Sequence, residues 1–172
     1  MSDPRNSPTT PTARPSTRVL LAEDDRELRT LLSLLLTEEG YQVSALSSGR
    51  ELFDRVAEEL GSSTSSFDAI VSDVRMPGMS AFDVLSQLRG ITQRVPVILI
   101  TAFADQATQR RAERLGVAAV LDKPFDIDDL RRTLLEIFSR PWRGNGARQC
   151  AALGSSGGPS GSADVPEPSA FP

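Results

Sequence analysis

Four short apolar runs of the chain, each a candidate β-strand, end in residues that can do chemistry. Most of these residues are acidic, and the set also contains one hydroxyl and one amine: Glu23, Asp24, Asp25, Asp73, Thr101, Asp122 and Lys123. In an open parallel sheet, ligand sites lie beyond the carboxyl ends of the strands. The sequence therefore predicts that these side chains converge on one site.

The residue types at these strand ends favour phosphoryl transfer. Carboxylates packed together repel one another and need a hard cation, and oxygen ligands without histidine or cysteine favour Mg²⁺. A carboxylate beside Mg²⁺ can attack a phosphoryl group, while the Thr101 hydroxyl and the Lys123 ammonium can neutralise phosphoryl oxygens. Lys123 is the single lysine among 19 basic residues, and it stands where this chemistry needs a cation.

The composition excludes several other functions. The 172 residues include no histidine and one cysteine, which excludes histidine-based triads, phosphohistidine carriers, cysteine-cluster zinc sites and internal disulfides. The net charge of -4 opposes an electrostatic grip on nucleic-acid phosphates. Because no apolar run could span a membrane and no signal peptide is recognisable, we expect a cytoplasmic protein without a membrane partner.

Residues 18–142 are predicted to form one domain between two disordered arms. The arms, residues 1–17 and 143–172, lack apolar periodicity and are rich in proline and small polar residues. Between them, short apolar runs alternate with helical patterns, which is typical of βα units around a parallel sheet. Five runs are predicted as strands: residues 19–22, 41–45, 69–72, 97–101 and 119–121.

Each predicted strand is followed by a predicted helix. The leucines that share one face of the first helix are Leu28, Leu31, Leu32 and Leu35. The residues predicted to cap later helices are Ser48, Ser80 and Asp126. The helix at about residues 105–115 offers mainly alanine to the core, so we expect it to be loosely held. Its basic outer surface is predicted to contain Arg110, Arg111 and Arg114.

Four stretches of the chain resemble the signature of the receiver domain of two-component response regulators. They are residues 19–25 (VLLAEDD), 68–79 (DAIVSDVRMPGM), 96–102 (PVILITA) and 122–125 (DKPF). Their order and spacing are those of the family, and together they cover the ordered region. The resemblance implies a doubly wound, flavodoxin-like α/β fold, with a five-stranded parallel sheet of order 2-1-3-4-5 and five helices.

The resemblance also implies roles for the acidic residues. Asp73 is the implied phosphoacceptor, and it would hold Mg²⁺ directly together with Asp24 and the backbone carbonyl of Arg75. Glu23 would act on the metal through water. Asp25 is expected to cap the first helix. Of the three consecutive acidic residues, the first two are thus assigned to the metal and the third to the helix.

Thr101 and Lys123 complete the implied set around the phosphoryl group, and the peptide bond between Lys123 and Pro124 is expected to be cis. The chain departs from the family at Val120, where most receivers carry an aromatic switch residue. We therefore expect the signal to be transmitted through Thr101 and the helix at residues 105–115.

The positions two residues beyond the phosphoacceptor and the threonine overlook the path of attacking water in receivers. They are Arg75 and Phe103 here, and neither can orient water as an amide or a carboxylate does. A phenyl ring can shield an acyl phosphate, and a guanidinium can pair with its oxygens. Slow autodephosphorylation is therefore expected.

The leading hypothesis is a stand-alone phosphoacceptor switch rather than an enzyme with a separate substrate. Its implied partners are a histidine kinase or histidine phosphotransfer protein and an output protein or second copy of the chain.

An Mg²⁺ phosphohydrolase would need Asp-x-Asp, whereas Asp73 is followed by Val74 and Arg75. A transcription factor would need a DNA-binding domain, which the glycine- and proline-rich residues after Trp142 do not provide. We expect no direct nucleic-acid contact. The sequence is also compatible with a fragment of a longer regulator.

Overall fold

The computed structural model describes residues 17–62, 66–142 and 144. The predicted disordered arms, residues 1–17 and 143–172, lie outside the described residues except for Thr17 and Gly144. In the described part of the chain, no helix is both long and apolar enough to cross a membrane.

One sheet of five parallel strands has the order β2-β1-β3-β4-β5. The strands are β1 (Arg18–Ala22), β2 (Gln42–Leu46), β3 (Ala69–Asp73), β4 (Val97–Thr101) and β5 (Ala119–Asp122). Each predicted strand agrees with the observed one to within one residue at either end. The predicted fold and strand order are confirmed.

The described residues form six helices. They are α1 (Arg26–Glu38), α2 (Gly49–Gly61), α3 (Ala81–Gln87), α4 (Ile91–Arg94), α5 (Gln106–Leu115) and α6 (Ile127–Phe138). The prediction of five helices missed α4, a single turn that follows Gly90 at φ 98° and has no side-chain cap. Four residues are too few to show a helical period. The predicted caps of α2, α3 and α6, Ser48, Ser80 and Asp126, are confirmed.

Helices cover both faces of the sheet. The side chains of α1 and α6 pack with one face of the strands, and those of α2, α3 and α5 pack with the other. β3 and β4 are buried along their whole length, because they lie inside the sheet and beneath helices on both sides. This layered core fixes the positions of the strand ends.

The buried face of α1 differs from the prediction. Leu32 and Leu36 are buried, whereas Leu31 is 51% exposed. Leucines occupy six of the nine positions from Leu28 to Leu36, so several helical phases fit the pattern equally well. Contact with β1, β2 and α6 selects the phase, and this information is not local to the helix.

The helix α5 is held by few apolar contacts, as predicted. Ala112 is its only buried residue. Arg110, Arg111 and Arg114 are exposed, as predicted for the outer surface, and Arg111 also contacts α3. Its guanidinium lies 3.5 Å from the Asp83 carboxylate and 4.6 Å from the centroid of the Phe82 ring.

Candidate functional site

The candidate site lies at the carboxyl edge of the sheet. β1 pairs with β3, β3 with β4, and β4 with β5, so the ends of these four strands lie side by side. The backbone N–H of Lys123 donates to the Thr101 carbonyl at 2.7 Å, which continues the β4–β5 pairing into the site. The Lys123 ammonium contacts the carboxylates of Glu23 and Asp73 there. Asp122, which was predicted at the same site, is exposed and lies outside the group of acidic side chains that converge.

Three carboxylates form the centre of the site. Oxygen atoms of Glu23, Asp24 and Asp73 all lie within 4.8 Å of one another. Glu23 is 1% exposed and Asp73 7%, whereas Asp24 is open to solvent. A carboxylate cluster of this size without nitrogen or sulfur donors fits a hard divalent cation such as Mg²⁺.

Asp25 lies outside this cluster and caps α1. Its carboxylate accepts a hydrogen bond from the backbone N–H of Leu28 at 2.8 Å. The prediction that Asp25 is a helix cap is therefore confirmed. Of the three consecutive acidic residues, Glu23 and Asp24 are the two that share the cluster with Asp73.

Lys123 is the cation of the site. Its Nζ lies 2.9 Å from Glu23 Oε2 and 3.5 Å from Asp73 Oδ1, and its side chain is 23% exposed. The bond between Lys123 and Pro124 is cis, as predicted. One ammonium therefore faces two buried carboxylates.

The balance of burial and charge shifts the pKa values of these groups. Burial raises the pKa of Glu23 and of Asp73, and contact with Lys123 offsets this only in part. Burial lowers the pKa of Lys123, but the hydrogen bond to Glu23 and the negative charges around it raise it overall. The shift of Lys123 favours its ammonium form, whereas the shifts of Glu23 and Asp73 disfavour their ionised forms, which a divalent cation in the site would stabilise.

Thr101 lies at the end of β4 and is 2% exposed. Its Oγ1 accepts a hydrogen bond from the backbone N–H of Phe103 at 3.2 Å. This contact does not use the hydroxyl proton, which stays available for donation. Thr101 thus connects the end of β4 with the segment that leads into α5.

Arg75 and Phe103 contact each other rather than pointing separately into solvent. The Arg75 Cζ lies 4.2 Å from the centroid of the Phe103 ring, and Phe103 is 61% exposed. The backbone N–H of Arg75 is hydrogen-bonded to the Asp73 carboxylate, which lowers the pKa of Asp73 slightly against the larger effect of burial. The sequence placed both residues near the site but did not predict their contact.

Two further residues near the site were missed by the sequence analysis. Arg29 donates hydrogen bonds to the backbone carbonyls of Glu23 and Asp24. At Gly49, an added Cβ would lie 1.8 Å from the carbonyl oxygen of Met79, so only glycine lets α2 pack against the loop after β3. A glycine directly after a helix cap was a usable signal, whereas nothing in the pattern distinguished Arg29 from other arginines.

Comparison with known proteins identifies the family. Residues 19–135 match the response regulator receiver domain. The match covers more than half of the chain, and the chain therefore belongs to the receiver domain family of two-component response regulators. Receiver domains act as phosphoacceptor switches, bind Mg²⁺ at an acidic cluster, and interact with histidine kinases or phosphotransfer proteins.

Individual relatives and solved structures agree with this assignment. The chain is 29% identical over 114 residues to sporulation initiation phosphotransferase F of Bacillus subtilis, covering 66% of this chain and 87% of that protein. It is 33% identical over 116 residues to the transcriptional regulatory protein ZraR of Escherichia coli, covering 67% of this chain but only 25% of ZraR. The structure of Vibrio cholerae chemotaxis protein CheY4 matches with a TM-score of 0.62 and 27% identity, covering 71% of this chain and 98% of that one.

Proposed function

We propose that this chain is a receiver that accepts a phosphoryl group on Asp73 from a phosphohistidine of a histidine kinase or histidine phosphotransfer protein. The bond between phosphorus and the histidine nitrogen breaks, and a bond to an Asp73 carboxylate oxygen forms. The 172 residues include no histidine, so the phosphohistidine donor lies outside them. The observation that supports this most is the meeting of three carboxylates with Lys123.

Mg²⁺ is the proposed cofactor of the transfer. Asp24, Asp73 and the backbone carbonyl of Arg75 would hold it directly, and Glu23 would hold it through water. The oxygen-only donor set and the raised pKa values of two of its carboxylates support this assignment. When bound, Mg²⁺ would neutralise charge on the phosphoryl oxygens.

The chain's own residues supply the remaining interactions. Lys123 is already within 3.5 Å of Asp73 and can turn its ammonium toward a phosphoryl oxygen. Thr101 can donate its hydroxyl proton to another oxygen. Neither group has to titrate for this, so the protein acts by positioning charge rather than by moving protons.

The proposed output route runs through Thr101 and α5. Val120 is buried among apolar side chains and offers no ring that could rotate beneath Thr101. Donation from Thr101 to a phosphoryl oxygen would alter its contact with the Phe103 N–H, just before α5. Since α5 buries only Ala112, it can move at little cost, and an output protein or a second copy would bind the altered surface.

Phosphoramidate, a small donor with the same nitrogen–phosphorus bond as phosphohistidine, tests the proposed acceptor. The protein is incubated with phosphoramidate and Mg²⁺, treated with borohydride to reduce the acyl phosphate, and digested for peptide mass spectrometry. We expect reduction at Asp73 alone, no reduction in D73N, and normal reduction in the control D25N, where asparagine still caps α1. Reduction at another carboxylate, or equal labelling without Mg²⁺, would refute the proposal.

A further inference from the structure

Arg29 connects α1 with the loop that carries two of the clustered carboxylates. Its Nη1 donates to the Glu23 carbonyl at 2.6 Å and to the Asp24 carbonyl at 3.1 Å. One guanidinium nitrogen thus holds the backbone of two consecutive residues, and both send their side chains into the cluster with Asp73.

The other contacts of this loop leave Asp24 dependent on the backbone. The Glu23 N–H donates to the Leu46 carbonyl at 3.2 Å, and the Glu23 carboxylate accepts from the Asp25 N–H at 3.3 Å and from Lys123 at 2.9 Å. Asp25 is fixed by capping α1. Asp24 lies between these anchors and is exposed, so packing does not set the direction of its carboxylate. The Arg29 contact with the Asp24 carbonyl restricts the backbone of Asp24, and the backbone determines the direction of its carboxylate.

We propose that Arg29 is a positioning residue that holds the Asp24 and Glu23 carboxylates in their metal-binding arrangement. This inference rests on the proposed magnesium site and adds a residue that touches neither metal nor phosphoryl group. Residues that orient the ligands of a metal commonly change its affinity by roughly 10-fold or more when they are replaced.

The sign of the effect separates this role from simple electrostatics. Arg29 carries a positive charge near a cation site, so its charge alone opposes Mg²⁺ binding. Removing that charge should strengthen binding if electrostatics is its whole effect. If Arg29 positions the ligands, its removal should weaken binding instead.

Mg²⁺ titration by calorimetry of wild type, R29Q and R26Q measures this sign. Arg26 is exposed on the same helix, so R26Q removes an equal charge without disturbing the loop contacts. We expect the Mg²⁺ Kd of R29Q to rise roughly 10-fold, and that of R26Q to stay unchanged or fall slightly. Unchanged or tighter binding in R29Q would overturn the inference.

The rate of phosphorylation by phosphoramidate at increasing Mg²⁺ gives the second readout. In R29Q the Mg²⁺ concentration for half-maximal rate should rise by the same factor as Kd, while the rate at saturating Mg²⁺ stays close to that of wild type. A lower saturated rate with unchanged half-saturation would contradict a positioning role.

Two controls separate the possible failures. The variant R29K keeps the charge and has a donor on a longer side chain than the glutamine of R29Q. It should bind Mg²⁺ with an affinity between those of R29Q and wild type, and weaker binding than R29Q would count against the inference. Wild-type protein that binds no Mg²⁺ would refute the proposed magnesium site and this role with it. Wild-type binding together with wild-type affinity in R29Q would refute the role of Arg29 alone.

Discussion

The guanidinium of Arg75 lies over the ring of Phe103, with 4.2 Å between Cζ and the ring centroid. Arg75 follows β3 by two residues and Phe103 follows β4 by two, so the contact bridges the two strand ends that carry Asp73 and Thr101. A cation–π contact at an exposed position contributes about 0.5–1 kcal/mol. The pair is therefore held together weakly and can part when the site changes.

This pair leads to a prediction about the lifetime of the phosphoryl group. Neither side chain can orient an attacking water molecule, so wild-type protein should lose its phosphoryl group slowly. Replacing the pair by an amide and a carboxylate, in R75N/F103E, should speed the loss by about 10-fold or more, since a positioned base contributes at least this much. The decay of phosphorylated protein after removal of the donor measures both rates. Equal or slower loss in the double variant would show that the pair does not protect the site.

Asp24 and Asp25 are adjacent acidic residues with different expected roles. We expect D24N to weaken Mg²⁺ binding and slow phosphorylation, because it removes the charge of a proposed direct ligand. D25A should leave Mg²⁺ binding nearly intact and lower the free energy of unfolding by about 1 kcal/mol, because it removes the cap of α1. Calorimetric Mg²⁺ titration measures the metal affinity of both variants, and urea unfolding measures their free energy of unfolding. The reverse pattern would mean that Asp25, rather than Asp24, binds the metal.

The raised pKa of Asp73 predicts that its negative charge destabilises the metal-free protein. Burial is the main cause, and repulsion from Asp24 adds to it. D73N should therefore raise the Tm of metal-free protein at neutral pH by a few degrees. Thermal unfolding in EDTA measures this change, and D122N, at the exposed end of β5, serves as the control. A lower Tm in D73N would show that the contact with Lys123 outweighs burial.

The raised pKa of Asp73 also determines how the Tm difference between D73N and wild type depends on pH. Because the folded-state pKa of Asp73 is raised, folded protein binds a proton at pH values where the unfolded chain is still ionised. The destabilisation is complete above the folded-state pKa and disappears as the pH falls toward the unfolded value, near 3.9. The Tm difference between D73N and wild type should accordingly shrink on acidification. A difference that grows as the pH falls would contradict this assignment.

Hydrogen exchange tests the proposed movement of α5. With Ala112 as its only buried side chain, α5 should exchange its amide hydrogens faster than α6, in which Leu130, Thr133 and Leu134 are buried. Phosphorylation should change the exchange of α5 and of the segment at Phe103. Mass spectrometry of protein with and without phosphoramidate follows both helices. A change in α6 without a change in α5 would refute the proposed output route.

The sheet could be predicted from the sequence because each strand is a short apolar run between turn residues. The helical details depended on more distant contacts. Six leucines of α1 left its buried phase undecided. The contacts of Arg111 with α3 were not predicted, because only the folded chain brings α3 beside α5. The single turn of α4 was too short to leave a pattern.

The clustered side chains were predictable for a similar reason. Strand ends lie side by side in a parallel sheet, which brings the acidic residues after β1 and β3 together. Asp122 at the end of β5 is exposed and does not join them. The contacts of Arg29 and Gly49 were not predictable in this way. They depend on the geometry of α1 against one loop and of α2 against another. The position of Gly49 directly after the cap of α2 was a usable signal, whereas nothing in the sequence distinguished Arg29 from other arginines.

Intact-mass spectrometry after incubation with phosphoramidate and Mg²⁺ measures whether Asp73 accepts and keeps a phosphoryl group. Wild-type protein should gain one phosphoryl group that persists after the donor is removed, while D73N gains none. Phosphate release from simple phosphate esters should not exceed the background of D73N. Steady release of phosphate from such esters by wild type, without an accumulated phosphoryl-protein, would contradict the account and identify a phosphohydrolase instead of a switch.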